Sequence, residues 1–395
     1  MTWLDDRAKD VLTERTSTGL LRRLIPLAPE TAMTVERAGR KLINFSSNDY
    51  LGLSRHPALI ERASEWTKRW GVGATASRLV CGTFEAHTAI EEKLARLKGT
   101  EAALIFNSGY QANTAILPAI LDKEMLGREP VIFADRLVHA SMHHGVSATG
   151  LRQHRYRHND LDHLESMLKT NVGGAGPRFI LTESVFSMDG DRVDVPALAR
   201  LAERYDATVF LDEAHATGVL GPKGMGLASL APGRIGLVMG TFSKALGGFG
   251  AYLCCSQAVK DYLVNRCPGF IYTTALPPPV LGAMDAALDL LPTLEAERAT
   301  LHSYAERLRA ALRANGLSSL TSDTQIVPVV MGSGKSALSA AQMLEEHGLL
   351  GIAIRPPTVP KGTARLRLTL SAAHSTGQID RLVAALPLLA GFKDA

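Results

Sequence analysis

The chain alternates short apolar runs with amphipathic stretches. ALIF (103–106), VIFAD (131–135), FILTE (179–183), TVFLD (208–212), GLVMG (236–240) and AYLCC (251–255) are runs of four or five mostly apolar residues bounded by polar or turn residues. Their length and near-continuous hydrophobicity predict strands buried on both faces. Between them lie helical periods. Val195, Leu198, Leu201, Ala202 and Tyr205 fall on one helical face, with Pro196 near the first turn. Ile90, Leu94 and Leu97 do the same ahead of Gly99, a predicted helix stop. The alternation predicts an α/β fold: a mainly parallel sheet flanked by helices.

The pattern changes at both ends. Residues 1–45 read as an N-terminal arm with a helix, a basic stretch (Leu21-Arg22-Arg23-Leu24) and a short strand near Leu42. Residues 46–283 form the predicted large domain. After Leu276-Pro277-Pro278-Pro279 the helical periods lengthen, and 284–315 reads as one long, kinked helix. A strand from Ile326 to Met331, a helix over 336–347 and a strand from Arg365 to Leu370 follow, which predicts a small α+β C-terminal domain over 284–395. A chain of 395 residues exceeds what one core usually supports, in keeping with two domains.

Composition narrows the function. The chain is 46% hydrophobic and 21% charged, with 43 basic against 39 acidic residues, a net charge of +4. That excess is too slight for a dedicated nucleic-acid partner, and it accommodates anionic small molecules. The cysteines Cys81, Cys254, Cys255 and Cys267 form no CxxC pair, and neighbours in a strand point to opposite faces. No disulfide framework is expected, and a reducing cytoplasm is. The start, MTWLDDRAKDVL, lacks the apolar core of a signal peptide, and no run approaches 18 apolar residues. No membrane partner is expected.

The chemistry should sit at the carboxyl ends of the parallel strands. TVFLD ends in Asp212, followed by Glu213-Ala214-His215, and GLVMG runs into Thr241-Phe242-Ser243-Lys244. A carboxylate and a lysine at the ends of neighbouring strands suggest pyridoxal 5'-phosphate (PLP), which needs a lysine for its Schiff base and an acid to keep its ring nitrogen protonated. Either residue alone would more often be half of a structural ion pair; their joint placement favours the cofactor. His215 could hydrogen-bond the ring hydroxyl. ALIF runs into Asn107-Ser108-Gly109-Tyr110-Gln111 and a helix, and a glycine turn entering a helix offers backbone N–H groups to a phosphate. Thr241, Ser243 and Ser187 add hydroxyls. His139, after VIFAD, could stack on a planar ring.

Three other patterns are set aside. His139 and His143 are four apart with His144 adjacent, but no HExxH or cysteine ligand accompanies them, so no metal is expected. Gly332-Ser333-Gly334-Lys335-Ser336 imitates a P-loop but has Val329 where the first glycine belongs. Gly247-Gly248-Phe249-Gly250 lacks the dinucleotide spacing and reads as glycines that let backbone pass close to Lys244.

Taken together, Asn44 through Leu53 (NFSSNDYLGL), Asp135 through Ser141, Glu183 through Asp191 (ESVFSMDGD), Asp212-Glu213-Ala214-His215 and Thr241-Phe242-Ser243-Lys244 resemble the α-oxoamine synthases, PLP enzymes of fold type I, the aspartate-aminotransferase-like transferases. The resemblance spans nearly the whole chain. It implies Lys244 as the Schiff-base lysine, Asp212 on the pyridine nitrogen, His215 on the ring oxygen and His139 stacked on the ring. Gly109, Tyr110, Ser187 and Thr241 would hold cofactor atoms, chiefly the phosphate. Thr274 would reach the phosphate of the other subunit, which implies a homodimer with shared sites. Arg367 would grip the amino-acid carboxylate, a task suited to a guanidinium fork. Asn48 would lie near the substrate, and Arg22 and Thr358 near the acyl chain or product. NFSSNDYLGL and the stretch Ile354–His374 look most like the biotin-pathway member, which condenses L-alanine with a pimeloyl thioester. Sister enzymes using glycine or serine share the cofactor residues. A non-catalytic regulatory subunit of the same fold is the distant alternative, against which the retained Lys244, Asp212 and His215 argue.

Overall fold

The computed structural model describes residues 2–170 and 172–393. Its centre is a seven-stranded sheet: β1 (Ala102–Phe106), β2 (Val131–Asp135), β3 (Gln153–Tyr156), β4 (Arg178–Glu183), β5 (Ala207–Asp212), β6 (Leu237–Thr241) and β7 (Ala251–Cys255). Their order across the sheet is β1-β7-β6-β5-β4-β2-β3. Strands β3, β2, β4, β5 and β6 run parallel, and β7 pairs antiparallel with both β6 and β1. The near-continuous apolar runs have a plain cause: alternate side chains of each strand enter cores on opposite faces. Ile180, Val209, Val238 and Cys254 join one core; Phe179, Leu181, Phe210, Leu237 and Cys255 join the other.

The helices end as their sequences dictate. Asp194 caps Val195–Arg204 by accepting from Ala197 N, with proline in the first turn. Gly99 closes Glu85–Lys98 at a φ of 68°, in the left-handed region that glycine adopts without strain. The helix Trp3–Ser17 is different: none of its residues is buried.

A second layer joins the two ends of the chain. Thr34–Arg37 and Arg40–Asn44 form a hairpin, and Leu349–Leu350 pairs parallel with Arg40–Asn44. Beside it an antiparallel sheet orders β8 (Ile326–Gly332), β10 (Ala364–Thr369) and β9 (Ile352–Ile354) as β8-β10-β9. Thr369 N donates to Phe45 O and Ala372 N to Tyr50 O, so the segment after the N-terminal hairpin is clamped against β10.

Two sequence expectations change. The predicted helix over 284–315 is two helices, Pro278–Leu290 and Glu295–Ala314, joined by a 3₁₀ turn at Leu291–Thr293. Pro292 lacks the N–H that a continuous helix requires. The first of these helices therefore crosses residue 283, where the domain boundary was expected. Gly247 does pass close to Lys244, but what forbids a side chain there is another segment: a Cβ would sit 2.4 Å from the backbone of Leu53 and Ser54. Its N–H closes the turn after Lys244 by donating to the Lys244 carbonyl at 2.9 Å.

Candidate active site

The carboxyl ends of β2, β4, β5 and β6 open into a cavity of about 230 Å³. Gly109, Tyr110, His139, Asp212, His215, Thr241, Ser243 and Lys244, all sequence candidates, line it. Asn113, Ser141, Glu183 and Ala214 line it too.

At the floor, β4 and β5 are parallel and in register, with Glu183 opposite Asp212. Asp212 Oδ2 accepts from Asn113 Nδ2 at 3.0 Å and Oδ1 from Ala214 N at 2.9 Å. Glu183 is buried with Oε1 unpartnered. Burial, and then the nearby Asp212 charge, raise its carboxyl well above the ordinary range. Asn113 Nδ2 also donates to Ser141 Oγ at 3.0 Å, and that hydroxyl lies 2.8 Å from His139 Nδ1. A chain of polar groups thus runs from the floor carboxylate to the histidine at the cavity wall.

Lys244 follows β6, in the loop Phe242–Gly248. It is half-buried, and among the described residues its Nζ makes no hydrogen bond. Burial lowers its pKa to about 8, against the attraction of Asp212 and Glu183. His215 is held well below its ordinary pKa by burial and then by the charges of Lys244 and Arg367. Its Nδ1 lies 2.7 Å from the Tyr50 hydroxyl.

The remaining predicted residues lie outside the lining of this cavity. Arg367 Nε donates to Ser187 O at 2.6 Å and Nη1 to Asn48 Oδ1 at 3.1 Å. Ser187, expected beside the phosphate, lines a second cavity of about 270 Å³ with Thr358, Arg136 and His158. Arg22 Nη2 reaches Thr358 Oγ1 at 3.3 Å across 336 positions of sequence. Thr274 stands apart from both cavities, bridged to Ser77, with its carbonyl accepting from Asn107 Nδ2 at 3.0 Å. His143 and His144 do not face each other: one meets Gln153 and the other Tyr110.

Sequence reasoning missed Tyr50, Asn113, Ser141, Glu183 and Gln325. Glu183 had a signal, since it ends FILTE at the carboxyl edge of the sheet. The others become functional only where distant segments meet.

The lining fits a planar, phosphorylated ring. Thr241 Oγ1 is buried without a partner, beside the first turn of the helix Gly109–Ile120, whose leading N–H groups have no intrahelical acceptor. A Cβ at Gly109 would sit 2.7 Å from Thr241 Cγ2, so glycine keeps this corner open. An anion here meets a hydroxyl and backbone donors, and Asp212 lines the same cavity.

Residues 40–386 match the family model of class I and II aminotransferases. The chain is 56% identical to the 8-amino-7-oxononanoate synthase of Gluconacetobacter diazotrophicus, over 98% of this chain and 97% of that protein. Among solved structures, the serine palmitoyltransferase of Sphingomonas wittichii aligns with a TM-score of 0.91 at 27% identity, over all of both chains. The 8-amino-7-oxononanoate synthase of Francisella tularensis aligns with a TM-score of 0.75 at 28% identity, over 89% of this chain and 98% of that one.

Proposed function

We infer the function from one premise: this chain belongs to the class I and II aminotransferase family. It is a PLP-dependent acyltransferase of the α-oxoamine synthase type. Its reaction is the decarboxylative condensation of L-alanine with a pimeloyl thioester to 8-amino-7-oxononanoate, carbon dioxide and free thiol. One observation carries the chemistry: a half-buried lysine, without hydrogen bonds among the described residues, shares a cavity with an in-register carboxyl pair beside a phosphate-sized corner. The substrate choice rests on the 56% identity to a relative of that name, twice the identity to the palmitoyltransferase of similar shape.

When bound, PLP supplies an electron sink for negative charge at the amino-acid α-carbon and again during loss of carbon dioxide. The phosphate would be held by the Gly109 and Tyr110 N–H groups and Thr241 Oγ1. Asp212, kept in place by Asn113 and Ala214 N, would keep the ring nitrogen protonated. His139 would cover one face of the ring, and His215 would meet the ring oxygen. Lys244, as a free amine, has a pKa of about 8, which would suit it to remove the α-proton near neutral pH. The α-carbon then forms a C–C bond to the thioester carbonyl while the C–S bond breaks. Carbon dioxide leaves, and Lys244 returns a proton to the same carbon. Arg367, braced on Ser187 O and Asn48, would grip the alanine carboxylate. Arg22 and Thr358 would meet the far carboxylate of the pimeloyl chain. Thr274, remote from its own cavity, would serve the phosphate of a second copy in a homodimer.

The test is thiol release from pimeloyl-, acetyl-, succinyl- and palmitoyl-CoA, each with alanine, glycine or serine. Alanine with pimeloyl-CoA is expected to give the highest kcat/KM. A preference for glycine with a short acyl group, or for serine with palmitoyl-CoA, would assign the chain to a sister activity. Arg22→Ala should lower kcat/KM for pimeloyl-CoA about ten-fold, the loss of roughly one charge-assisted hydrogen bond, and leave uncharged acyl chains unaffected.

A further inference from the structure

One imidazole outside the lining of the candidate site stands between two buried carboxyl groups. His158 Nδ1 lies 3.0 Å from Asp135 Oδ1, and its Nε2 lies 3.0 Å from Asp191 Oδ2. Those two oxygens also accept N–H bonds, Asp135 Oδ1 from Leu137 N at 2.8 Å and Asp191 Oδ2 from Asn159 Nδ2 at 2.8 Å. Asp135 Oδ2 accepts a further bond from Asn159 N at 2.7 Å. Donors converging on both acids mark them as ionised, and an ionised carboxylate only accepts. Each imidazole nitrogen must therefore donate, and the ring is an imidazolium. Burial opposes that charge, but the hydrogen bonds to Asp135 and Asp191 outweigh it and raise the pKa of His158 to about 10. The other charged groups lining its cavity are Arg136, Arg365 and Asp189, and the last two bind each other at 2.8 Å.

Asn159 bridges the same two acids, with its backbone N–H on one and its side chain on the other. Its φ of 55° lies in the left-handed region, a conformation that these contacts hold in place. Two consecutive residues thus staple Asp135 to Asp191. Each acid shapes a segment of the site. Asp135 ends β2 and, through Leu137 N, turns the chain toward His139. Asp191 closes the turn Phe186–Asp191, where Phe186 N donates to Asp191 O at 3.0 Å. That turn grips two arginines of β10: Ser187 O accepts from Arg367 Nε at 2.6 Å, and Asp189 Oδ1 from Arg365 Nη1 at 2.8 Å. A neutral imidazole has one N–H and could serve only one of the two acids.

We propose that His158 is a positioning residue: as an imidazolium between Asp135 and Asp191, it fixes the turn that seats Arg367 relative to the segment that carries His139. The inference rests on the role proposed above for Arg367, but every group in the staple belongs to the protein.

The experiment follows the ring nitrogens of histidine-15N-labelled, PLP-loaded protein through a pH titration. The His158 signals are identified by their loss in His158→Gln. Both nitrogens are expected to carry protons at about pH 8, where an ordinary imidazole is neutral. A wild-type ring with one proton at that pH overturns the proposal. In Asp191→Asn, which removes one charge and keeps the shape, the midpoint is expected to fall by about one unit or more. The positioning role is read from the affinity for propionate, a carboxylate without the amine, measured by calorimetry across the same pH range. The affinity is expected to fall about ten-fold as His158 loses its proton, the loss of roughly one hydrogen bond, and to do so at correspondingly lower pH in Asp191→Asn. An affinity that does not follow the His158 midpoint in the two proteins overturns the proposal as well. Should Asp191→Asn not fold, His158→Gln is expected to bind propionate about ten-fold more weakly than the wild type at about pH 8. Arg367→Ala that binds propionate as tightly as the wild type would instead remove the role proposed for Arg367, and the nitrogen signals would still decide the charge of His158.

Discussion

Two lysines sit near consecutive carboxylates at the end of one strand, and the fold treats them in opposite ways. Lys98 Nζ donates to Glu213 Oε2 at 3.1 Å, Thr217 Oγ1 at 3.0 Å and the Met225 carbonyl at 2.6 Å. Burial opposes its charge, but Tyr252 and Glu213 outweigh burial and raise its pKa above the ordinary value. Lys244, beside Asp212, has charges nearby but no hydrogen-bond acceptor, and burial wins. Asp212 is already engaged by Asn113 and Ala214 N, so it contributes charge at a distance rather than a hydrogen bond to the lysine. The difference teaches that burial and a nearby carboxylate do not make a lysine reactive. A structural lysine has all three N–H groups matched to acceptors; a reactive one is left without them.

The comparison breaks first at the chemistry. Lys244→Ala should lower the condensation rate by about 10⁴-fold or more, since a positioned base is worth up to about that factor and the covalent link to the cofactor is lost as well. The near-visible absorption of lysine-linked cofactor should vanish with it. A variant that keeps a tenth of the rate would show that another group acts as the base. Lys98→Met should do the reverse. It leaves Glu213 buried and uncompensated, which costs about 3–5 kcal/mol of stability. Denaturant unfolding should show that loss, while the absorption of bound cofactor stays near that of the wild type. Restoring stability with Lys98→Met/Glu213→Leu would confirm that the unpaired charge, not the lost packing, is the cause.

Much of this was legible in the sequence because strand ends are where an open parallel sheet exposes chemistry. Asp212, His215, Thr241 and Lys244 could be found by asking which polar residues follow a buried run. Glu183 answered the same question and was passed over because nothing local sets it apart from a strand terminus. Asn113 and Tyr50 were not legible: nothing local sets either apart from its polar neighbours, and its meaning depends on contacts 99 and 165 positions away. The same limit hid the contrast between the lysines. Lys98 ends a helix on the surface pattern of Glu85–Lys98 and reads as a solvated C-terminal cation, yet the loop bearing Met225 closes over it. The break at Pro292 was masked for another reason: apolar periodicity runs through Pro278–Leu290 and into Leu291 without a change of phase.

The smallest expected effect is the one that sharpens the comparison most, because it reads the two lysines as free amines. In protein stripped of cofactor, Lys244 has a folded pKa of about 8 against an ordinary value of 10.5. Below about pH 8 both the folded and the unfolded chain hold the proton, and the fold bears the full cost of a buried, unbonded charge. Between about 8 and 10.5 the unfolded chain holds a proton that the folded chain lacks. Stability therefore rises with pH through that window, by up to about 3 kcal/mol. The buried thiols Cys254 and Cys255, pushed up to about 12, act in the opposite sense as pH rises past their ordinary value of 9.0. The contribution of Lys244 must accordingly be read as a difference between variants that share those thiols. Lys244→Met should be more stable than the wild type at pH 7.5, with the gap closing by about pH 10.5. Lys98→Met, whose lysine has its pKa raised, should be less stable than the wild type throughout the same range. Unfolding by urea at pH 7.5, 9 and 10.5 measures both. A gap between Lys244→Met and wild type that does not change with pH would mean that Lys244 is not held as a neutral amine, and the contrast between the two lysines would fail at its root.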